Sequence, residues 1–222
     1  SNVTTMQSMF AGASAFNQPL ETWDVGNLRN VQEMFEGASA FKQPLGRWNA
    51  PHMNIHEAVN LWCSDRAAAE LRYGHISQWD TSKVKNMKEL FKDKQHFNDD
   101  ISQWNVGNVT DMQGMFRGAS AFTQPLEQWN VSNVTSMQEM FAGASSFNQP
   151  LETWDVGNVT DMQSMFAGAS SFNQPLKQWN VGNVTDMQGM FDGASAFNQP
   201  LEIWNVSNVT SMQKIFYDAS AF

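Results

Sequence analysis

The chain has 222 residues, a formal net charge of −9 and a pI near 4.8, a balance that disfavours nucleic acid and anionic membrane as partners of the surface as a whole. A single cysteine, Cys63, rules out an intramolecular disulfide framework and leaves the redox compartment open. No apolar run approaches the roughly 18 residues that cross a bilayer, and the opening Ser1-Asn2-Val3 lacks the basic and apolar regions of a signal peptide.

Read from the N-terminus, tryptophan recurs at Trp23, Trp48, Trp79, Trp104, Trp129, Trp154, Trp179 and Trp204, every 25 residues except for one step of 31. One supersecondary unit is therefore copied about nine times, and residues 1–222 read as a single domain of 25-residue repeats whose first and last copies are incomplete. Because repeat arrays need polar caps over their open ends, these mid-repeat boundaries carry the expectation of a longer parent protein.

Residues 49–78 form the divergent repeat, lengthened by six residues. Its usual Val-Thr-Asp-Met is replaced by Ala50, Pro51, His52, Met53, Asn54, Ile55 and His56, and the Met-Phe word is absent. A longer irregular helix is expected over 55–72, with Val59, Leu61 or Trp62 in place of the Met-Phe face and Ala67, Ala68, Ala69 and Leu71 extending it. His52, His56, His75 and Cys63 gather here, and histidines at i, i+4 on a helix can share a metal. Pro51 beside His52, the lack of a second cysteine and the irregular spacing argue against it, so no metal is expected.

From 42 to 94 the chain carries nine basic and six acidic residues, against three basic and twelve acidic from 95 to 222. Lys83, Lys85, Lys88, Lys92 and Lys94 make a basic cluster, read either as an attractant for an acidic partner or glycan or as a solvated helix face.

The copy 154–178 shows the repeat most plainly: Trp154, Val156, Val159, Met162, Met165, Phe166, Ala169, Phe172 and Leu176 are apolar, and nearly everything between them is polar or turn-forming. A short strand around 153–157 is expected to turn Trp154 and Val156 inward, with parallel pairing to the next copy. Over 158–168 a two-turn helix is expected: Thr160 caps it, Gln163 reaches back, Gly168 ends it, and Met162, Met165 and Phe166 share its inner face. Buried indoles from successive copies are expected to lie over one another. The repeated asparagine, Asn27, Asn108, Asn133, Asn158, Asn183 and Asn208, is read as a partner for buried turn backbone groups. Asn-X-Ser/Thr sequons at Asn2, Asn108, Asn130, Asn133, Asn158, Asn183, Asn205 and Asn208 follow mostly from the threonine that succeeds this asparagine.

The outward positions of the expected strands form a second column: Thr22, Asp24, Gln78, Asp80, Gln103, Asn105, Gln128, Asn130, Thr153, Asp155, Gln178 and Asn180. These are the candidate ligand-binding residues, because repeat arrays commonly bind through an extended face; mere solvated polarity is the alternative. No nucleophile and base, no carboxylate pair in a cleft and no phosphate-cradling glycines converge in the sequence, so neither catalysis nor a cofactor is expected. The threonines Thr110, Thr135, Thr160 and Thr185, which invite an ice-binding reading, are assigned to helix capping instead.

The words Asn-Val-Thr-Asp-Met-Gln-Ser-Met-Phe and Ala-Ser-Ser-Phe-Asn-Gln-Pro-Leu-Glu-Thr-Trp-Asp-Val resemble the bacterial surface-protein repeat of about 26 residues found in BspA-like proteins. That resemblance implies a divergent leucine-rich repeat displayed outside the cell, with adhesion or protein binding as its role. The expected fold is an α/β, right-handed leucine-rich-repeat-like solenoid with a parallel β-sheet on one face and short helices on the other. The expected function is non-catalytic adhesion at the cell surface, binding protein or glycan through the repetitive face, without nucleic acid and without membrane insertion. A structural spacer or an intracellular interaction scaffold is the alternative.

Overall fold

The computed structural model describes residues 3–20, 22–23, 25, 28, 33–43 and 53–222. Trp48, Asn2, Asn27, Pro51, His52 and the candidate Asp24 lie outside these. The chain divides into two compact units, Ser1–Trp79 and Asp80–Phe222.

In the second unit each 25-residue copy is a coil of consecutive turns. Along 162–168 alternate amides leave the coil: the N–H groups of Met162, Ser164, Phe166 and Gly168 donate to the carbonyls of Asp186, Gln188, Met190 and Asp192 at 3.0, 2.8, 2.8 and 2.6 Å. The amides that follow Ser164, Phe166 and Gly168, those of Met165, Ala167 and Ala169, close turns onto Met162, Ser164 and Phe166 at 3.2, 3.1 and 3.0 Å, and Gln163 N–H donates to Asp161 Oδ1. Ser164 and Gly168 stand third in the first and last of these turns with φ of +52° and +67°, the left-handed conformation that such turns demand. Every backbone donor of the run is satisfied, half of them by the next copy.

This corrects the expected architecture. The described residues contain no β-strand, and their helices all lie in the divergent segment. The leucine-rich-repeat-like α/β solenoid with its sheet and helical faces is therefore not the fold, and the reading of adhesion through such a face, with the spacer alternative drawn on the same repeat, falls with it. The physical reason is that apolar spacing at i, i+3 and i+4 suits a run of three-residue turns as well as a helix. What decides is where the amides go, and here they go to a neighbour 24 residues on instead of four residues back. The expected strand around 153–157 is bracketed by turns, Trp154 N–H to Leu151 O at 3.0 Å and Val159 N–H to Val156 O at 2.9 Å. Pairing occurs elsewhere and is one residue wide, through isolated parallel bridges that link Asn86, Asp111, Ser136, Asp161, Asp186 and Ser211 in turn.

The capping box is also replaced. Thr160 gives both its N–H and its hydroxyl to the carbonyl of Thr135, at 2.9 and 3.2 Å, and Thr110, Thr135, Thr185 and Thr210 repeat the arrangement. Gln163 N–H donates to Asp161 Oδ1 at 2.9 Å, and Gln163 Oε1 accepts from Gln138 Nε2 at 2.8 Å. The threonine column ties one copy to the previous one rather than starting a helix.

All nine apolar positions of the copy 154–178 are buried. The stacked rings are phenylalanines, in two columns: Phe141, Phe166 and Phe191 with centroids 5.6 Å apart, and Phe147, Phe172 and Phe197 at 6.1 Å, all within 8° of parallel. Trp154 and Trp179 instead lie tilted at 31° against the phenylalanine of the preceding copy. Their indole N–H groups donate to Leu126 O and Leu151 O, both at 2.9 Å, so the ring is buried without an orphaned donor.

The first unit holds the divergent segment. α1 (Ile55–Ser64) starts at Asn54, whose side chain accepts from His56 and Glu57 N–H, and α2 (Arg66–Tyr73) starts at Asp65, whose side chain accepts from Ala68 N–H. A short 3-10 helix, Ile76–Gln78, follows. Ile55, Ala58, Val59 and Trp62 are buried on α1, and Trp62 meets Trp79 edge-on at 5.8 Å. The one irregular helix expected over 55–72 is thus two, broken where Asp65 closes the first and caps the second. Earlier in the unit Phe10, Phe16, Phe35 and Phe41 stack at 4.1 to 5.7 Å, and Phe10 N–H donates to Met34 O at 2.8 Å.

Candidate functional site

Thr22 and Gln78 of the first unit, and Asp80, Gln103, Asn105, Gln128, Asn130, Thr153, Asp155, Gln178 and Asn180 of the second, are all exposed. Successive coils bring the second-unit residues together: a Cβ on Gly107 would sit 3.3 Å from Asn105 Oδ1 and 3.6 Å from Asn130 Nδ2, and one on Gly157 would sit 3.1 Å from Asp155 Oδ1 and 3.5 Å from Asn180 Nδ2. The column also has a local task that the sequence did not disclose. Asp80, Asn105, Asn130, Asp155 and Asn180 each accept from the N–H two residues on, at 3.0 to 3.2 Å, which is the Asx turn. The bonds that Asp80 takes from the hydroxyl and N–H of Ser82 hold its carboxyl below the ordinary aspartate range. Thr153 donates to Glu127 O at 3.0 Å, and Gln103 and Gln78 donate to the preceding serine hydroxyls.

The repeated asparagine is committed as well. Asn108, Asn133, Asn158, Asn183 and Asn208 each donate Nδ2–H to a carbonyl 26 residues earlier, all at 2.7 Å. At these sequon positions a glycan would take one of the two Nδ2 hydrogens and leave a single N–H for the inter-coil bond.

The lysines behave differently. Lys83, Lys85 and Lys88 stand where Asn108, Thr110 and Gln113 stand one copy later, and all three are exposed. Their backbone is pinned: Lys85 O accepts both the N–H and the hydroxyl of Thr110 at 2.9 and 3.3 Å, Asn86 bridges Asp111, and Lys88 N–H donates to Asn86 Oδ1 at 2.8 Å. Lys92 is half-buried and pairs with Glu89 at 2.8 Å; the hydrogen bond from Lys92 is the main cause of the lowered Glu89 pKa. Arg117 pairs with Glu139 in the next coil. The cluster lies on a coil of turns and not on the helix face that one reading of the sequence placed under it.

Around the divergent segment, His75 Nδ1 lies 2.8 Å from Ser77 Oγ and its ring meets Trp62 edge-on, while Cys63 is exposed. Among the described residues no three acidic, histidine or cysteine side chains gather to hold a metal, and no helix is long and apolar enough to cross a membrane.

No curated protein and no solved structure matches the chain. The resemblance to BspA-like leucine-rich repeats is corrected on two counts, since the described residues lack the sheet that such a repeat needs and the family that matches is another. The family described as "Mycoplasma protein of unknown function, DUF285" matches residues 1–61, 59–162 and 149–222, and the chain belongs to it.

Proposed function

We propose that the chain is a non-catalytic interaction module that holds an acidic partner against the exposed lysines Lys83, Lys85 and Lys88. The observation that carries this reading is the exchange, in one coil, of three polar residues for three cations on a backbone tied to its neighbour. A fixed backbone presents charge with little loss of loop entropy. The net −9 of the whole chain does not cancel the attraction, because screening over about 8–10 Å at physiological salt lets a partner at the patch respond to local charge. Exposed ion pairs contribute about 0.2–1 kcal/mol each, so three of them amount to about 0.6–3 kcal/mol, or roughly 3- to 150-fold in affinity.

The test is a variant carrying Lys83→Gln, Lys85→Gln and Lys88→Gln, with retention on immobilised polyglutamate and on a sulfated polysaccharide measured against salt. Weaker retention with an unchanged melting temperature supports the reading. Retention equal to that of the parent chain at every salt concentration removes it.

A further inference from the structure

Lys92 and Arg117 hold the same repeat position in consecutive coils, yet they find their glutamates in different ways. Arg117 reaches forward to Glu139 of the next coil, 22 residues on. For Lys92 the residue at that forward place is Gly114, which has no carboxylate to offer. Lys92 turns back instead to Glu89 of its own coil at 2.8 Å, across a turn that Lys92 N–H closes onto Glu89 O at 3.1 Å.

The two pairs differ in what they do for the fold. Arg117 and Glu139 tie one coil to the next, whereas Lys92 and Glu89 are already held together by the backbone turn between them, so parting their side chains breaks no contact between coils. Glu89 is exposed and follows Lys88 of the lysine patch directly. Its carboxyl is held below the ordinary glutamate range, first by the hydrogen bond from Lys92 and further by the charges of Lys92, Lys88 and Arg117. A Cβ on Gly114 would lie 3.4 Å from Glu89 Cγ and 3.9 Å from Arg117 Cβ, so Glu89 leans over the bare glycine and shares that position with Arg117.

We infer, on the reading of Lys83, Lys85 and Lys88 as the seat of an acidic partner, that Lys92 is a fourth cation of that surface and that Glu89 holds it until a carboxylate of an acidic peptide takes the place of Glu89. The exchange trades one carboxylate for another, so Lys92 adds little to affinity while Glu89 competes for it. What Glu89 supplies is discrimination. Its carboxylate is tethered beside Lys92 and outcompetes a free carboxylate in solution; a peptide already held by the three lysines is tethered as well and presents its next carboxylate at a comparable effective concentration. The surface therefore favours a chain of several carboxylates over single ones.

The experiment is retention of the 222-residue chain on immobilised polyglutamate against salt, with the variants Glu89→Gln, Glu89→Gly, Glu89→Gln combined with Lys92→Gln, and Asp93→Asn. Gly114 and Gly189 occupy the Glu89 position in other coils with the same left-handed backbone, so glycine fits there, and Asp93→Asn removes an equal charge from the same coil outside the pair. Melting temperatures check that the fold is kept. Release of one exposed ion pair predicts that both Glu89 variants bind about 1.5- to 5-fold more tightly than the parent, that Lys92→Gln cancels the gain, and that Asp93→Asn gains less. Glu89 variants no tighter than the parent, a gain that survives Lys92→Gln, a gain matched by Asp93→Asn, or a gain seen on a sulfated polysaccharide and not on polyglutamate overturns the inference. The two failures separate. If the variant carrying Lys83→Gln, Lys85→Gln and Lys88→Gln binds as the parent does, the lysine reading falls and takes this one with it; unchanged Glu89 variants beside a weakened lysine variant remove this one alone.

Discussion

Ser164, Glu139 and Glu89 hold φ of +52°, +54° and +56° at a turn position where Gly114 and Gly189 have +59° and +61°. A side chain in this region costs about 1–2 kcal/mol, and glycine gives back about 0.5–1 kcal/mol of that through its greater unfolded freedom. Ser164→Gly is therefore expected to stabilise the chain by about 0.5–1 kcal/mol, read as a higher urea midpoint. Gly143→Ala goes the other way. A Cβ there would meet nothing closer than 3.7 Å, so the expected net loss of about 0.5–1 kcal/mol is conformational, and a neutral result would refute the turn geometry.

Asp161 shows a charge placed against its preference. Burial, reinforced by the neighbouring carboxylate of Asp186, raises its pKa, although the N–H of Gln163 pulls in the opposite direction. A carboxyl whose pKa is raised in the folded chain binds its proton more tightly there than when unfolded. The ionised group then costs stability above the folded pKa and costs nothing below the unfolded one. Asp161→Asn keeps an oxygen for Gln163 N–H, so it should melt higher than the parent near neutral pH and lose that advantage at about pH 3, below the ordinary aspartate range. An advantage independent of pH would assign the gain to packing instead.

At the level of elements, Asp65 does two jobs within the divergent segment: its N–H closes α1 onto Leu61 O at 2.7 Å, and its carboxylate accepts from Ala68 N–H at 3.0 Å to start α2. Asp65→Ala keeps the first bond and removes the second, so a loss of about 1 kcal/mol is expected; Asp65→Asn should recover most of it, and equal losses in both would show that the cap is not the cause. That 55–72 is helical was legible from its apolar periodicity with alanines behind it, whereas the caps at Asn54 and Asp65, and the break into two helices, were not. The coils were legible only in part. The inward set from Trp154 to Leu176 followed from polarity, whereas helix and strand did not follow, since Met162, Met165 and Phe166 point inward equally well from a helix or from linked turns. The informative sign was Gly114 and Gly189 alternating with Ser164 at one position, a mark of left-handed backbone that a helix interior does not need. The candidate column was legible as exposed, but its Asx turns depend on a backbone that polarity alone does not specify.

For the second unit as a whole, the controlling quantity is the 25-residue register. Removal of 154–178 joins Thr153 to Trp179 and brings Leu151 to the place relative to Trp204 that Leu176 occupies, where it accepts the indole N–H now donated at 3.1 Å. Each hydrogen bond of the missing copy has an equivalent in the coils on either side, so the shortened chain should fold with one cooperative transition at a lower midpoint, as an array that has lost one unit and one interface does. Deletion of Ser164 alone should do more damage, because it exchanges the amides that leave the coil with those that close its turns and rotates Met165 and Phe166 away from their columns. Urea titrations of the two variants decide the matter. If the one-residue deletion unfolds at a higher urea concentration than the 25-residue deletion, register is not what holds these coils together.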